Sequence, residues 1–147
     1  MVCNFNKLKA IAIISGGKEN PSINGTVKFY QKGNCVLVVA DISGLPRTAT
    51  GFFGFHIHEG TDCGGPNFSD TKGHYNPNGM PHPQHAGDLP PLMLCGAMAH
   101  SSVLTDRFHI NEIIGRTVVI HNMPDDFTTQ PAGNSGEKIA CGIIKKP

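Results

Sequence analysis

Gly51-Phe52-Phe53-Gly54-Phe55-His56-Ile57-His58 has an alternation that only an extended chain can use. Successive side chains of a β-strand point to opposite faces, so Phe53, Phe55 and Ile57 share a face fit for burial while His56 and His58 share the other. Two imidazoles side by side on a strand form a chelate for a transition metal, because neutral imidazole suits copper, zinc, iron and nickel. Two ordinary surface histidines would leave the same trace. The stretch therefore fixes a strand before it fixes a role.

Working outward, residues 9–15, 23–30 and 35–42 also read as strands, separated by a Gly-Gly-Lys-Glu-Asn-Pro-Ser turn at 16–22 and by Lys32-Gly33-Asn34. Ser43-Gly44-Leu45-Pro46 breaks the chain before the histidine strand at 52–58. From 59 to 91 the alternation stops in a stretch rich in Gly, Pro, Asn, Asp and His, and an irregular segment of that length inside a compact domain is either functional or disordered. Its histidines argue for function. Strand-like patterns return at 92–94, 97–104, 117–121 and 138–144, with a turn at Cys95-Gly96 and a second irregular stretch over 122–136. Short strands at this spacing predict an antiparallel sandwich or barrel.

Composition narrows the function classes. The 147 residues suit one domain, 1–147, and the formal net charge of +1 gives no electrostatic case for nucleic acid or an anionic membrane. No apolar run approaches the length of a membrane span. The opening residues carry two lysines and a brief Ile-Ala-Ile-Ile run too short for a signal segment, which predicts a cytoplasmic protein, or an exported one if a leader has been removed. Five cysteines, Cys3, Cys35, Cys63, Cys95 and Cys141, cannot all pair within the chain and match no zinc-ribbon spacing. Cys35 and Cys95 read as small buried hydrophobes.

Six of the eight histidines fall where they could be tied together: His56 and His58 on the strand, His74, His82 and His85 in the long loop, and His121 at a later strand end. With Asp88, the three loop histidines make a ligand set suited to tetrahedral zinc, closed and hence structural. His56, His58 and His121 are left for a second metal. His100 and His109 read as ordinary strand or surface histidines.

Gly54-Phe55-His56-Ile57-His58-Glu59, Gly73-His74-Tyr75-Asn76-Pro77, His85-Ala86-Gly87-Asp88-Leu89, Gly115-Arg116-Thr117-Val118-Val119-Ile120-His121 and Ala140-Cys141-Gly142 resemble, in order and over nearly the whole chain, the successive motifs of the copper/zinc superoxide dismutase family. The resemblance implies an all-β Greek-key sandwich or flattened barrel of about eight antiparallel strands with long metal-binding loops. It implies copper on His56, His58, His74 and His121, and zinc on His74, His82, His85 and Asp88, so that His74 is shared. Asp125 stands where the family has a carboxylate linking one copper and one zinc histidine, here His56 and His82; the plain alternative is that Asp125-Asp126 is a solvated loop pair. Cys63 and Cys141 match the family's disulfide, leaving Cys3, Cys35 and Cys95 as thiols.

The sequence departs from the family pattern in three places. Lys138 stands where an arginine usually guides the anionic substrate, keeping the charge but not the planar fork of donors; the plain alternative is a surface lysine. Only two residues separate His82 from His85, a shorter gap than usual, while the stretch from Cys63 to His74 is longer. The 122–136 segment carries little alternating charge. The implied activity is disproportionation of superoxide, with copper and zinc as cofactors and His74 and Lys138 as catalytic residues; the residues leave the assembly open, a homodimer being one option. Rival readings are a non-catalytic copper/zinc-binding module acting as a copper buffer or chaperone, a zinc hydrolase, and a plain adhesion sandwich.

Overall fold

The computed structural model describes residues 7–147, so Cys3 lies outside the described residues. Eight strands form one antiparallel sheet: β1 (Leu8–Gly16), β2 (Asn24–Lys32), β3 (Cys35–Ser43), β4 (Phe52–His58), β5 (Asp88–Met93), β6 (Met98–Thr105), β7 (Thr117–His121) and β8 (Lys138–Lys145). Their spatial order is β5-β4-β7-β8-β1-β2-β3-β6, with the long β3–β4 and β6–β7 connections crossing the barrel in Greek-key fashion. The two edge strands, β5 and β6, approach each other and nearly close the sheet on itself.

Alternation builds the core. Ala10, Ala12 and Ile14 from β1, Val27 and Phe29 from β2, and Val36, Val38, Ala40 and Ile42 from β3 all point inward and are buried. Phe53, Phe55 and Ile57 complete it from β4, joined by Val118 and Ile120 from β7. Exposed and half-buried residues occupy the intervening positions of β1 to β3. On β4 and β7 the pattern differs, because every residue from Phe53 to His58 and from Thr117 to His121 is buried. Loops cover their outer face, where the histidines lie.

Two expectations need correction. The irregular stretch placed at 59–91 ends sooner, since β5 begins at Asp88 and pairs His56 with Asp88 and Phe55 with Leu89. Pro90 and Pro91 are tolerated because β5 is an edge strand and they fall where its register with β4 shifts, between the Phe55–Leu89 and Phe53–Leu92 pairs. The reading of Cys35 and Cys95 as buried hydrophobes also fails: Cys35 is half-buried and Cys95 exposed. Cys95 lies at the mouth of the β5–β6 hairpin, exchanging two main-chain hydrogen bonds with Met98. Two short helical segments were not foreseen, a turn over Pro66–Thr71 and α1 (Ile110–Ile113).

Candidate metal centre

The metal-bearing loop is sewn to the outer edge of β4. Tyr75 N–H donates to the Ile57 carbonyl, Ile57 N–H to the Gly87 carbonyl and Gly87 N–H to the Tyr75 carbonyl, at 2.8–2.9 Å. Glu59 N–H donates to the Gly73 carbonyl at 2.9 Å, and His74 forms a bridge with His58. Gly87 is required here, because a Cβ at that position would run into the Ile57 carbonyl. His74 and Asp88, distant in sequence from His58, are thereby delivered beside it. His121 comes from the adjacent strand β7.

The residues converge in two groups of four. His56, His58, His74 and His121 each offer a ring nitrogen, all within 4.8 Å of one another, and His74, His82, His85 and Asp88 do the same. A third set, His56, His82 and Asp125, lies behind them. Asp125 Oδ2 accepts from His56 Nε2 at 2.7 Å and Oδ1 accepts from His82 Nε2 at 2.8 Å. Oδ1 also accepts the Phe127 N–H at 2.8 Å.

Tautomers follow from these partners, and with them the fit to cations. With Nε2–H of His56 and His82 given to Asp125, each ring presents an unprotonated Nδ1, and both of these atoms are buried without a hydrogen-bond partner. His82 Nδ1 sits 3.0 Å from Asp88 Oδ2, but out of hydrogen-bonding alignment, so a lone pair faces a carboxylate. His58 Nδ1 donates to the Lys72 carbonyl at 2.8 Å and His121 Nδ1 to the Gly136 carbonyl at 3.4 Å. Their Nε2 atoms then face each other at 3.2 Å as two lone pairs. His74 Nδ1 lies 2.8 Å from Asp88 Oδ1 and 3.2 Å from His85 Nδ1, while its Nε2 is buried and unpartnered on the opposite side. Lone pairs aimed at common points repel unless a cation occupies those points. The donors fit two ions: an all-imidazole set suited to copper and a His3Asp set suited to zinc.

Electrostatics agree. Burial, reinforced by the His74 imidazole, lowers His56 from 6.5 to about 4, against the raising effect of its bond to Asp125. Burial and the charge of His56 lower His121 to about 3, and burial with His121 and His74 lowers His58. These rings are neutral, as metal ligands must be. Burial works to raise the Asp88 and Asp125 carboxyls, but hydrogen bonds and charges from the surrounding histidines outweigh it and hold both below the ordinary carboxylate range.

Lys138 lies at the mouth. A cleft of about 430 Å³ opens over His58, His74 and His121, with Lys72, Glu59 and Lys138 among its rim residues. Lys138 Nζ donates to Thr71 Oγ1 at 2.7 Å and to the Lys72 carbonyl at 2.9 Å, and partial burial lowers its pKa. Cys63 and Cys141 form a disulfide with Cα atoms 5.8 Å apart, tying the start of the metal loop to β8. His100 and His109 belong to other surroundings: His100 is exposed and pairs with Asp41 at 2.6 Å, and His109 caps α1 through its N–H to Glu112 Oε2.

Sequence reasoning missed several supports. Arg107 Nη1 donates to the carbonyls of Pro83 and His85 at 2.7 and 3.3 Å, and Gln130 exchanges two hydrogen bonds with the main chain of His82. Thr71 and the Lys72 carbonyl hold Lys138 in place. No local motif marks these residues, because each acts on a partner distant in sequence.

Residues 23–144 match the family model described as copper/zinc superoxide dismutase. Superoxide dismutase [Cu-Zn] 2 of Aquifex aeolicus is 35% identical over 136 residues, covering 82% of this chain and 78% of the relative. Superoxide dismutase [Cu-Zn] 4 of Dictyostelium discoideum is 34% identical over 157 aligned positions, 95% of this chain and 99% of the relative. The superoxide dismutase [Cu-Zn] of Legionella pneumophila is 34% identical over 133, covering 85% and 80%.

Proposed function

The chain belongs to the copper/zinc superoxide dismutase family, and on that premise we propose that it disproportionates superoxide to dioxygen and hydrogen peroxide using the two ligand groups described above. His56, His58, His74 and His121 would hold copper, and His74, His82, His85 and Asp88 would hold zinc. One observation carries this assignment: the two nitrogens of His74 face opposite clusters, Nδ1 toward Asp88 and His85, and Nε2 toward the other three histidines.

Copper bound there would supply the one-electron redox chemistry that the disproportionation needs, and zinc would supply charge without redox change. The chain's residues supply position and protons. Nε2 of His74, buried and free of any hydrogen bond, has one lone pair that would hold either copper or a proton; when released from the metal it would carry one proton to the peroxide, with the second coming from solvent. Asp125 holds His56 and His82 in the tautomer that leaves Nδ1 available. The Lys72 carbonyl does the same for His58 by accepting its Nδ1–H. Lys138, at the rim, attracts the anion into the cleft.

The reading extends to a single domain over 1–147 and to a homodimer, the latter checked by sedimentation. The Cys63–Cys141 bond persists best in oxidising surroundings, which weighs for the exported location over the cytoplasmic one. Metal analysis and a superoxide assay on one sample test the whole. One copper and one zinc per chain with turnover is the expected result; fully loaded protein without turnover would return the copper-buffer reading.

A further inference from the structure

We infer that Gln130 is a positioning residue for the zinc site, acting through the main chain of His82. The inference rests on the reading of His82 as a zinc ligand and goes beyond it to a residue in a different loop. His82 is buried, so its main-chain N–H and C=O both need partners. One side chain supplies both: His82 N–H donates to Gln130 Oε1 at 2.8 Å, and Gln130 Nε2 donates to the His82 carbonyl at 2.7 Å. Gln130 Nε2 also donates to the Thr128 carbonyl at 3.2 Å, which fixes the amide's orientation.

The same loop reaches the other end of His82. Asp125 accepts from its Nε2, and Gly133 packs so closely that a Cβ there would collide with the Asp125 carboxylate and with His82 Nε2. His82 is thus held at its backbone by Gln130 and at its ring by Asp125, leaving Nδ1 as the one ring atom without a partner. Main-chain and ring restraints together fix the direction of that lone pair. Only two residues separate His82 from His85, so the segment between them offers little chain of its own with which to orient His82. Gln84 N–H to the Pro81 carbonyl, at 2.8 Å, is the main-chain hydrogen bond within 81–85. Arg107 steadies the far side of that loop by donating to the Pro83 and His85 carbonyls. Because the Gln130 side chain is largely exposed, replacing it removes the clamp without opening the core.

The test uses fully reconstituted protein and two variants, Gln130→Met, which keeps the volume and loses both hydrogen bonds, and Gln130→Ala. Zinc release into a colorimetric chelator and copper release into a copper(I) chelator are timed separately, and cobalt(II) placed in the zinc site reports its geometry by visible absorption. Zinc release is expected to be about 10-fold faster in both variants, with a weakened tetrahedral cobalt spectrum and unchanged copper release. Gln31→Ala, at the β2–β3 turn, serves as the control and is expected to match the parent. Zinc release at the parent rate would overturn the inference, as would equal acceleration of copper and zinc release with a lowered melting temperature. His82→Ala separates the two levels: if it keeps zinc as the parent does, both the ligand assignment and the inference fall. If it loses zinc while the Gln130 variants do not, only the inference falls.

Discussion

Lys138 Nζ donates to Thr71 Oγ1 at 2.7 Å, across 67 residues of sequence and from β8 to the metal loop. Thr71 is fully buried and gives its own proton to the Phe68 carbonyl at 2.8 Å, which leaves an oxygen lone pair for the ammonium. Nζ also donates to the Lys72 carbonyl, the atom that accepts His58 Nδ1–H. A flexible side chain is thereby fixed at the rim of the histidine cleft, in contact with the carbonyl that supports His58.

That placement makes Lys138 testable as the guide for superoxide. Lys138→Ala is expected to lower kcat/KM about 10-fold at low salt and to flatten its dependence on ionic strength, because a fixed local charge raises the encounter rate of an anion. Lys138→Arg should retain most of the rate. An unchanged rate and salt slope in the alanine variant, measured by pulse radiolysis, would remove the residue from the mechanism.

Asp125 holds two histidines through separate oxygens, so its loss should affect both ions. Asp125→Ala frees His56 and His82 to rotate and to adopt the wrong tautomer, and zinc affinity should fall about 10- to 100-fold. Competitive zinc titration checks this. Affinity within twofold of the parent would mean that the carboxylate is dispensable to the ligand set.

The Cys63–Cys141 bond spans 78 residues, and the chain-entropy model gives about 4.5 kcal/mol as an upper estimate of its contribution. Cys63→Ser is expected to lower the urea midpoint of the metal-free protein and to loosen the metal loop at its start. Equilibrium unfolding with and without reductant measures the effect. Equal midpoints for the oxidised parent and the variant would show that the bond contributes nothing.

Acid should destabilise the metal-free protein. His56 and His121 have values near 4 and 3 in the fold, below their ordinary 6.5, so between these limits the unfolded chain binds protons that the folded one does not. The stability from keeping both rings neutral is complete above about pH 6.5 and is lost as pH falls through about 4 and then 3. Urea midpoints measured from pH 7 to pH 4 are expected to fall steadily. A flat profile over that range would contradict the buried, neutral state of these rings.

Much of this was legible in the residues. The alternation at 52–58 marked β4, and five motifs in order pointed to the family. The start of β5 was not legible, because Asp88-Leu89-Pro90-Pro91 reads locally as loop and becomes a strand only by pairing with β4 at the sheet edge. Cys95 was misread for a similar reason. Its neighbours suggest a core, and only the hairpin shows its side chain to solvent.

The sequence by itself determined which residues are chemically able to bind metals, since imidazoles and carboxylates carry that capacity wherever they lie. The tertiary structure decided which nitrogen of each ring is free to do so. That choice depends on where the other nitrogen's proton goes: to Asp125 for His56 and His82, to the Lys72 carbonyl for His58. Such partners lie 14 to 69 positions away, and no local pattern records a hydrogen bond made across the fold.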